Sequence, residues 1–140
     1  MSLEENKELV RQLYRAMDAA DYATLETLIA SDMVNHDPGL PPLPPGPEGY
    51  KQVVSMLHTG FPDGKFEVQD MIAEGDLVVS RWIYNGTHEG EFAGVPATGK
   101  KVSVTGTVIQ RIENGKSAEH WAIWDVLGML TQMGAIPVGS

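Results

Sequence analysis

The feature that most constrains the fold is a change of hydrophobic period near the end of the chain. From Ser117 to Trp124 large and small residues alternate as along a strand, whereas the apolar residues after Asp125 recur at helical spacing. The chain therefore turns from strand to helix at Trp124 and Asp125. In a small protein such a corner can direct several side chains into a cavity, so His120, Trp124 and Asp125 are candidates for small-molecule chemistry.

Length, charge and composition narrow the class of protein. The 140 residues suffice for one hydrophobic core, so we predict a single domain over residues 1–140. A formal net charge of −9, with scattered lysines and arginines, argues against a nucleic-acid partner. The lack of cysteine excludes disulfides, a thiolate nucleophile and Cys-ligated zinc. The acidic start resembles no secretion signal and no apolar run reaches membrane-spanning length, so we predict no membrane partner and a cytoplasmic location.

The pattern along the chain places helices before strands. Amphipathic stripes predict helices over residues 3–18, 22–30 and 47–59, and the prolines between 38 and 47 predict a rigid, extended rim. Alternating runs bounded by turn residues then predict strands over 65–73, 77–88, 101–112 and 117–124, followed by a helix over 125–133. This order predicts an α+β fold in which a curved antiparallel sheet wraps around the helices as a half-open cone.

Three stretches of the chain carry a family resemblance: GDLVVSRWIYNGTHEGEFAGVPATGKKV, RIENGKSAEHW and DVLGMLTQMG. Together with NHDPG and GPEGYK, in the same order, they make the chain similar to the SnoaL-like polyketide cyclases of the nuclear-transport-factor-2-like (cystatin-like) superfold. The resemblance covers nearly the whole chain. It implies a cone-shaped barrel with a deep apolar pocket, often in a dimer, that needs neither a metal nor an organic cofactor. Characterised members close a ring of a polyketide ester by an intramolecular aldol reaction, with an aspartate as general acid/base and a nearby histidine.

Two positions of the family's site are occupied differently in this chain. The resemblance implies that the catalytic aspartate falls at Ala122 and its partner histidine at Val108, while Asn35 matches an asparagine of the characterised cyclases. Neither an alanine nor a valine can transfer a proton. We therefore expect the family fold without the family's best-known reaction at a comparable rate.

The same alignment predicts which side chains form the pocket wall. If Ala122 and Val108 point inward, the two-residue period of a strand brings His120 and Trp124 inward on one strand and Gln110 on the other. His120 is then the candidate acid or base, with a satisfied core imidazole as the alternative interpretation. Trp124 contacts a ligand or simply fills the core, and Gln110 is a hydrogen-bond partner.

Four further residues are candidates for which a structural role competes. Asn35 and His36 lie at the start of the proline-rich loop, where His36 contacts a ligand or is a solvated loop histidine. Trp82 lines the cone unless its neighbours on the strand do so instead. Asp125 assists His120 or caps the last helix. The four histidines show no H-x-H or H-x-x-x-H pairing, so we predict no metal site.

Three functions compete at this point. The first is a cofactor-free enzyme that acts on a small apolar substrate through His120, with Asp125, Gln110 or Asn35. The second is a non-catalytic binder of a lipophilic ligand, and the third is a ring-closing cyclase whose base has been relocated. We rank them in that order. We also predict a homodimer through the outer face of the sheet, because such a face tends to be covered by a partner.

Overall fold

The structure of the protein, a computed structural model, describes residues 2–136, so residues 1 and 137–140 of the predicted domain lie outside it. Its elements in chain order are α1 (Leu3–Ala19), α2 (Tyr22–Leu28), β1 (Ile29–His36), α3 (Pro47–Gly60), β2 (Lys65–Glu74), β3 (Leu77–Thr87), β4 (Lys101–Glu113), β5 (Lys116–Trp124) and α4 (Val126–Gln132). The strands form one curved sheet in the order β1-β5-β4-β3-β2, which does not close into a barrel. The α+β class predicted from the sequence is confirmed.

The long first helix, α1, is fixed at both ends by local chemistry. Ser2 and Glu5 form a reciprocal capping box, in which each side chain accepts from the other residue's backbone N–H at 3.1 and 3.0 Å. The helix stops at Ala20, which takes a left-handed conformation with φ of 52°. Its buried stripe includes Leu9 and Leu13. Within residues 2–136, no helix combines the length and the apolar character needed to cross a membrane.

Strand β1 differs from the sequence prediction. The helix predicted over 22–30 ends at Leu28, and Ile29 starts a strand that pairs in parallel with β5, so the sheet is mixed rather than wholly antiparallel. The buried residues Ile29 and Met33 are four positions apart. That spacing fits one helical turn as well as two strand periods, so the sequence alone does not separate the two structures.

The inner face of the sheet follows a strict alternation. Along β4, Val104, Val108 and Gln110 are buried while their neighbours are exposed. On β3 the inward pair is Trp82 and Tyr84. The helix α1 packs against β2 and β3, and α3 packs against β1, so the inner face is covered except where a cavity remains between the layers.

The proline-rich loop, residues 37–46, joins β1 to α3 beside this cavity. At its far end the Gly46 N–H donates to the Met33 carbonyl at 2.8 Å. Gly46 has a φ of 73°, and a Cβ there would lie 2.3 Å from the Ser31 carbonyl oxygen, so the position requires glycine. Leu40 of the loop lines the cavity. The loop thus forms a rim that is fixed to the sheet.

Candidate active site

The cavity lies between the inner face of the sheet and helices α1 and α3. Its empty space, counted together with the solvent at its open side, is about 750 Å³. Most of its wall is apolar, with contributions from Leu13 of α1, Met56 of α3 and Val104 of β4. The cavity therefore suits a largely apolar molecule that meets a few polar groups.

Most of the residues predicted to form the pocket wall do line this cavity: Trp82, Val108, Gln110, His120, Ala122 and Trp124. The register between β4 and β5 pairs Val108 with Ala122 and Gln110 with His120. The two-residue period thus gives the geometry of this wall. A part for these residues in binding or catalysis stays a prediction.

His120 is a buried imidazole with no hydrogen-bond partner. Its ring lies against Tyr50, with 5.3 Å between centroids, and neither ring nitrogen makes a hydrogen bond within residues 2–136. Burial, together with a smaller contribution from His36, lowers the pKa of His120 to about 4. The ring is therefore neutral at pH 7, with one N–H donor and one acceptor nitrogen available to a ligand.

In the cavity wall, a buried hydrogen-bond chain holds Tyr50. The Ser117 hydroxyl donates to Gln110 Oε1, and Gln110 Nε2 donates to Tyr50 Oη at 2.9 Å. Burial raises the pKa of Tyr50 well above its usual range, so the phenol keeps its proton. Because Tyr50 Oη accepts from Gln110, its own O–H remains available to a ligand. Sequence reasoning missed Tyr50, since one aromatic residue on a helix has the pattern of ordinary core.

The cavity wall also contains a carboxylate that the sequence analysis did not select. Asp37 follows β1, and its Oδ1 accepts from the Gly39 N–H and from Trp124 Nε1, both at 2.9 Å. No residue in the described part of the chain donates to Oδ2. Burial raises the pKa of Asp37, against the opposing effect of the two donors. The inward alternation Met33, Asn35, Asp37 could have found this residue if β1 had been recognised as a strand.

Two predicted site residues lie outside the cavity, and we correct these expectations. His36 is on the outer face of the sheet, stacked on Trp121 at 5.5 Å between centroids, with Nε2 2.8 Å from Glu119. It follows the inward Asn35 by one residue, so strand alternation turns it outward. Asp125 is exposed and accepts from the Gly128 N–H at 2.8 Å, which makes it the N-cap of α4.

Asn35 occupies an intermediate position. It pairs with His120 across the β1–β5 ladder and is half-buried, yet it does not line the cavity. Its Oδ1 is buried without a hydrogen-bond partner among residues 2–136. Over the same residues no group of three or more His, Asp or Glu side chains is placed to hold a metal ion.

An α+β fold with a curved open sheet of this kind is that of the nuclear-transport-factor-2-like proteins. The chain belongs to the SnoaL-like polyketide cyclase family, whose model matches residues 7–133. It is 30% identical over 134 residues to the aklanonic acid methyl ester cyclase DnrD of Streptomyces peucetius, covering 91% of this chain and 89% of that protein.

Two solved structures resemble this one over nearly their whole length. IdmH from Streptomyces antibioticus is 38% identical with a TM-score of 0.79, covering 92% of this chain and 98% of that one. TsrD from Streptomyces laurentii is 26% identical with a TM-score of 0.88, covering 97% of this chain and 99% of that one.

Proposed function

We propose that this protein is a cofactor-independent enzyme that moves protons on a small, largely apolar, polyketide-like molecule bound in the cavity. The observation that carries the proposal is His120, a neutral imidazole without hydrogen-bond partners in an apolar wall. Leaving a buried polar atom unpaired costs about 1–3 kcal/mol, so such an atom needs an explanation. A ligand that pairs with the ring would supply one.

The polar groups of the wall suit a carbonyl compound. His120 offers the ligand one N–H donor and one acceptor nitrogen, and the Tyr50 hydroxyl, held by Gln110, is a donor for a carbonyl oxygen. Trp82 adds a buried indole N–H that has no partner among residues 2–136. The name of the relative DnrD gives aklanonic acid methyl ester as its substrate, and the family model is that of polyketide cyclases, which supports the same class of molecule for this chain.

The proposal extends to the partners and location of the protein. It requires one small apolar molecule and no nucleic acid or membrane, in a cytoplasmic homodimer. The net charge of −9 supports the exclusion of nucleic acid, because it repels phosphate backbones.

A non-catalytic binding protein is the second candidate. It is favoured by the apolar pair Val108 and Ala122, which face each other across β4 and β5 where the family resemblance implies a histidine and an aspartate. In that case the cavity holds its ligand by apolar contact and His120 serves only to orient it.

The test uses aklanonic acid methyl ester as the probe, with wild-type protein, His120→Ala and the outer-face control His36→Gln. Thermal unfolding measures binding, because a ligand of the folded state raises the melting temperature. Chromatography of the products measures turnover. Turnover that is lost in His120→Ala and kept in His36→Gln is the expected result. Binding without turnover favours the second candidate, and no rise in melting temperature contradicts both.

A further inference from the structure

We propose that Asp37 is a catalytic residue of this cavity and acts as the base that removes a proton from the bound molecule. The inference rests on the proposed function and specifies which group accepts the proton. It concerns a residue in a turn after β1, whereas the family resemblance implies a carboxylate on β5, at position 122.

Asp37 and Ala122 both line the cavity, at the end of the β1–β5 ladder. The parallel ladder pairs Asn35 with His120 and His36 with Trp121. Asp37 comes directly after the last pair, in the turn beyond β1, as Ala122 comes directly after Trp121 on β5. The hydrogen bond from Trp124 Nε1 to Asp37 Oδ1 is consistent with this placement, because Trp124 is the next inward residue on β5. The carboxylate of this wall thus follows β1, whereas the family resemblance implies one on the neighbouring strand β5.

The two oxygens of Asp37 have different surroundings. Oδ1 receives both hydrogen bonds that hold the turn, from Gly39 and from Trp124. Oδ2 receives none within residues 2–136, and the residue lines the cavity. A side chain that only holds the turn needs one acceptor oxygen, and an asparagine would provide it equally well. The free oxygen is what a base requires.

Asp37 is also the one acidic side chain among the described residues that line the cavity. The other titratable groups of the wall are His120 of β5, Tyr14 of α1, Tyr50 of α3 and Tyr84 of β3. Burial raises the pKa of all three phenols and lowers that of His120, so these groups are neutral near pH 7. Asp37 is therefore the one group of this wall that can carry a negative charge near pH 7, among neutral donors.

The proposed step needs no co-reactant. Asp37 Oδ2 takes a proton from a carbon flanked by carbonyl groups, and the C–H electron pair moves into the adjacent carbonyl as an enolate. The enolate carbon then attacks a second carbonyl of the same molecule, forming the C–C bond as the C=O pair moves onto oxygen. That oxygen takes the proton from Asp37, which returns to its carboxylate form. The product is an isomer of the substrate, and nothing is oxidised or reduced.

The experiment separates proton removal from ring closure. Aklanonic acid methyl ester is incubated in buffered D₂O with wild type, Asp37→Asn and the control Asp32→Asn, which changes an exposed carboxylate of β1. Deuterium uptake at carbon is followed by mass spectrometry, and binding by the ester-induced rise in melting temperature. We expect Asp37→Asn to bind the ester but to lose a factor of about 10² to 10⁴ in exchange and cyclisation. The control should match wild type.

A second variant tests Asp37 through its pH dependence. Trp124→Phe removes the indole N–H that stabilises the carboxylate, so the pKa of Asp37 should rise and the acid limb of the rate profile should move to higher pH. An unmoved limb, or exchange by Asp37→Asn at the wild-type rate, overturns the proposal. Binding of the ester by wild type without exchange also overturns it, while leaving the ligand site in place. Failure of wild type to bind the ester contradicts the proposed function itself.

Discussion

His120 combines full burial with an ionisable ring, and this has a consequence for stability. The unfolded chain takes up a proton near the ordinary pKa of 6.5, whereas the folded protein resists protonation until about pH 4. Stability from the neutral ring is therefore complete above about pH 6.5 and is lost as the pH falls towards 4. The loss in the free energy of unfolding is on the order of 3 kcal/mol.

We expect wild type to lose more unfolding free energy than His120→Gln between pH 7.5 and pH 4.5. Glutamine does not titrate, so the difference between the two proteins isolates the imidazole from the carboxylates they share. Urea unfolding at both pH values measures it. Equal losses in the two proteins would show that the ring is already solvated in the folded state.

Asp37 behaves in the opposite sense. Its folded pKa lies above the ordinary 3.8, so the neutral form favours folding and that stability is lost as the pH rises through the folded pKa. An asparagine side chain at this position would stay neutral and keep an acceptor for Trp124. We therefore expect Asp37→Asn to raise the melting temperature at pH 7.5, with a smaller rise at pH 4, measured by calorimetry. A gain in stability with a loss of activity is the usual trade-off at a catalytic position. A lower melting temperature at pH 7.5 would instead indicate a structural carboxylate.

At the scale of the elements, Gly106 of β4 lies between the two tryptophans of the cavity wall. Gly106 is paired with Trp82 on one side and Trp124 on the other. A Cβ on Gly106 would lie 2.3 Å from the Trp82 ring, closer than real contacts allow. The lack of a side chain there thus fixes the position of a cavity wall.

We expect Gly106→Ala to destabilise the protein by about 1–3 kcal/mol, because the Trp82 ring must move to make room. Chemical denaturation followed by tryptophan fluorescence measures the change. Thr107→Ala, next along the strand and exposed, is the matched control and should cost little. Equal effects of the two substitutions would place the cause in strand propensity rather than in contact with the indole.

The sequence predicted the long strands well and the short one not at all. The alternation runs along the whole of β4 and from His120 to Trp124 on β5, so these inward faces could be assigned from the sequence. β1 has eight residues with an irregular register between Ile29 and Val34, and its apolar spacing is also helical. Because β1 was not recognised, His36 stayed a candidate ligand contact and Asp37 was not selected. Tyr50 could not be found because its role depends on a Gln110 that is 60 positions away.

For the whole molecule, the most notable surface is the outer face of the sheet, which exposes a row of largely apolar side chains. One row crosses all five strands and consists of Ile72, Val79, Ile109, Trp121 and His36. Ile72 is 66% exposed and Ile109 36% exposed. Apolar surface of this kind on a sheet face favours association with a second copy.

We expect a homodimer at micromolar concentration, and we expect Ile109→Glu to shift it to monomer by placing a charge in the row. Sedimentation velocity measures the assembly state. Leu127→Glu is the matched control, since Leu127 is 63% exposed on α4, away from this row, and should leave the dimer intact. A wild-type monomer, or an Ile109→Glu dimer of unchanged affinity, would exclude the sheet face as the interface.

The attachment of the proline-rich loop has a kinetic consequence. The Gly46 N–H donates to the Met33 carbonyl at one end of the loop, and Asp37 accepts from Trp124 at the other, so we expect the loop to keep its place when a ligand enters. Capture should then be a one-step encounter whose observed rate rises in proportion to ligand concentration, without the plateau that a slow isomerisation imposes. The protein would then select its ligands by the width of a fixed opening, so that bulky molecules would fail to enter the cavity at all.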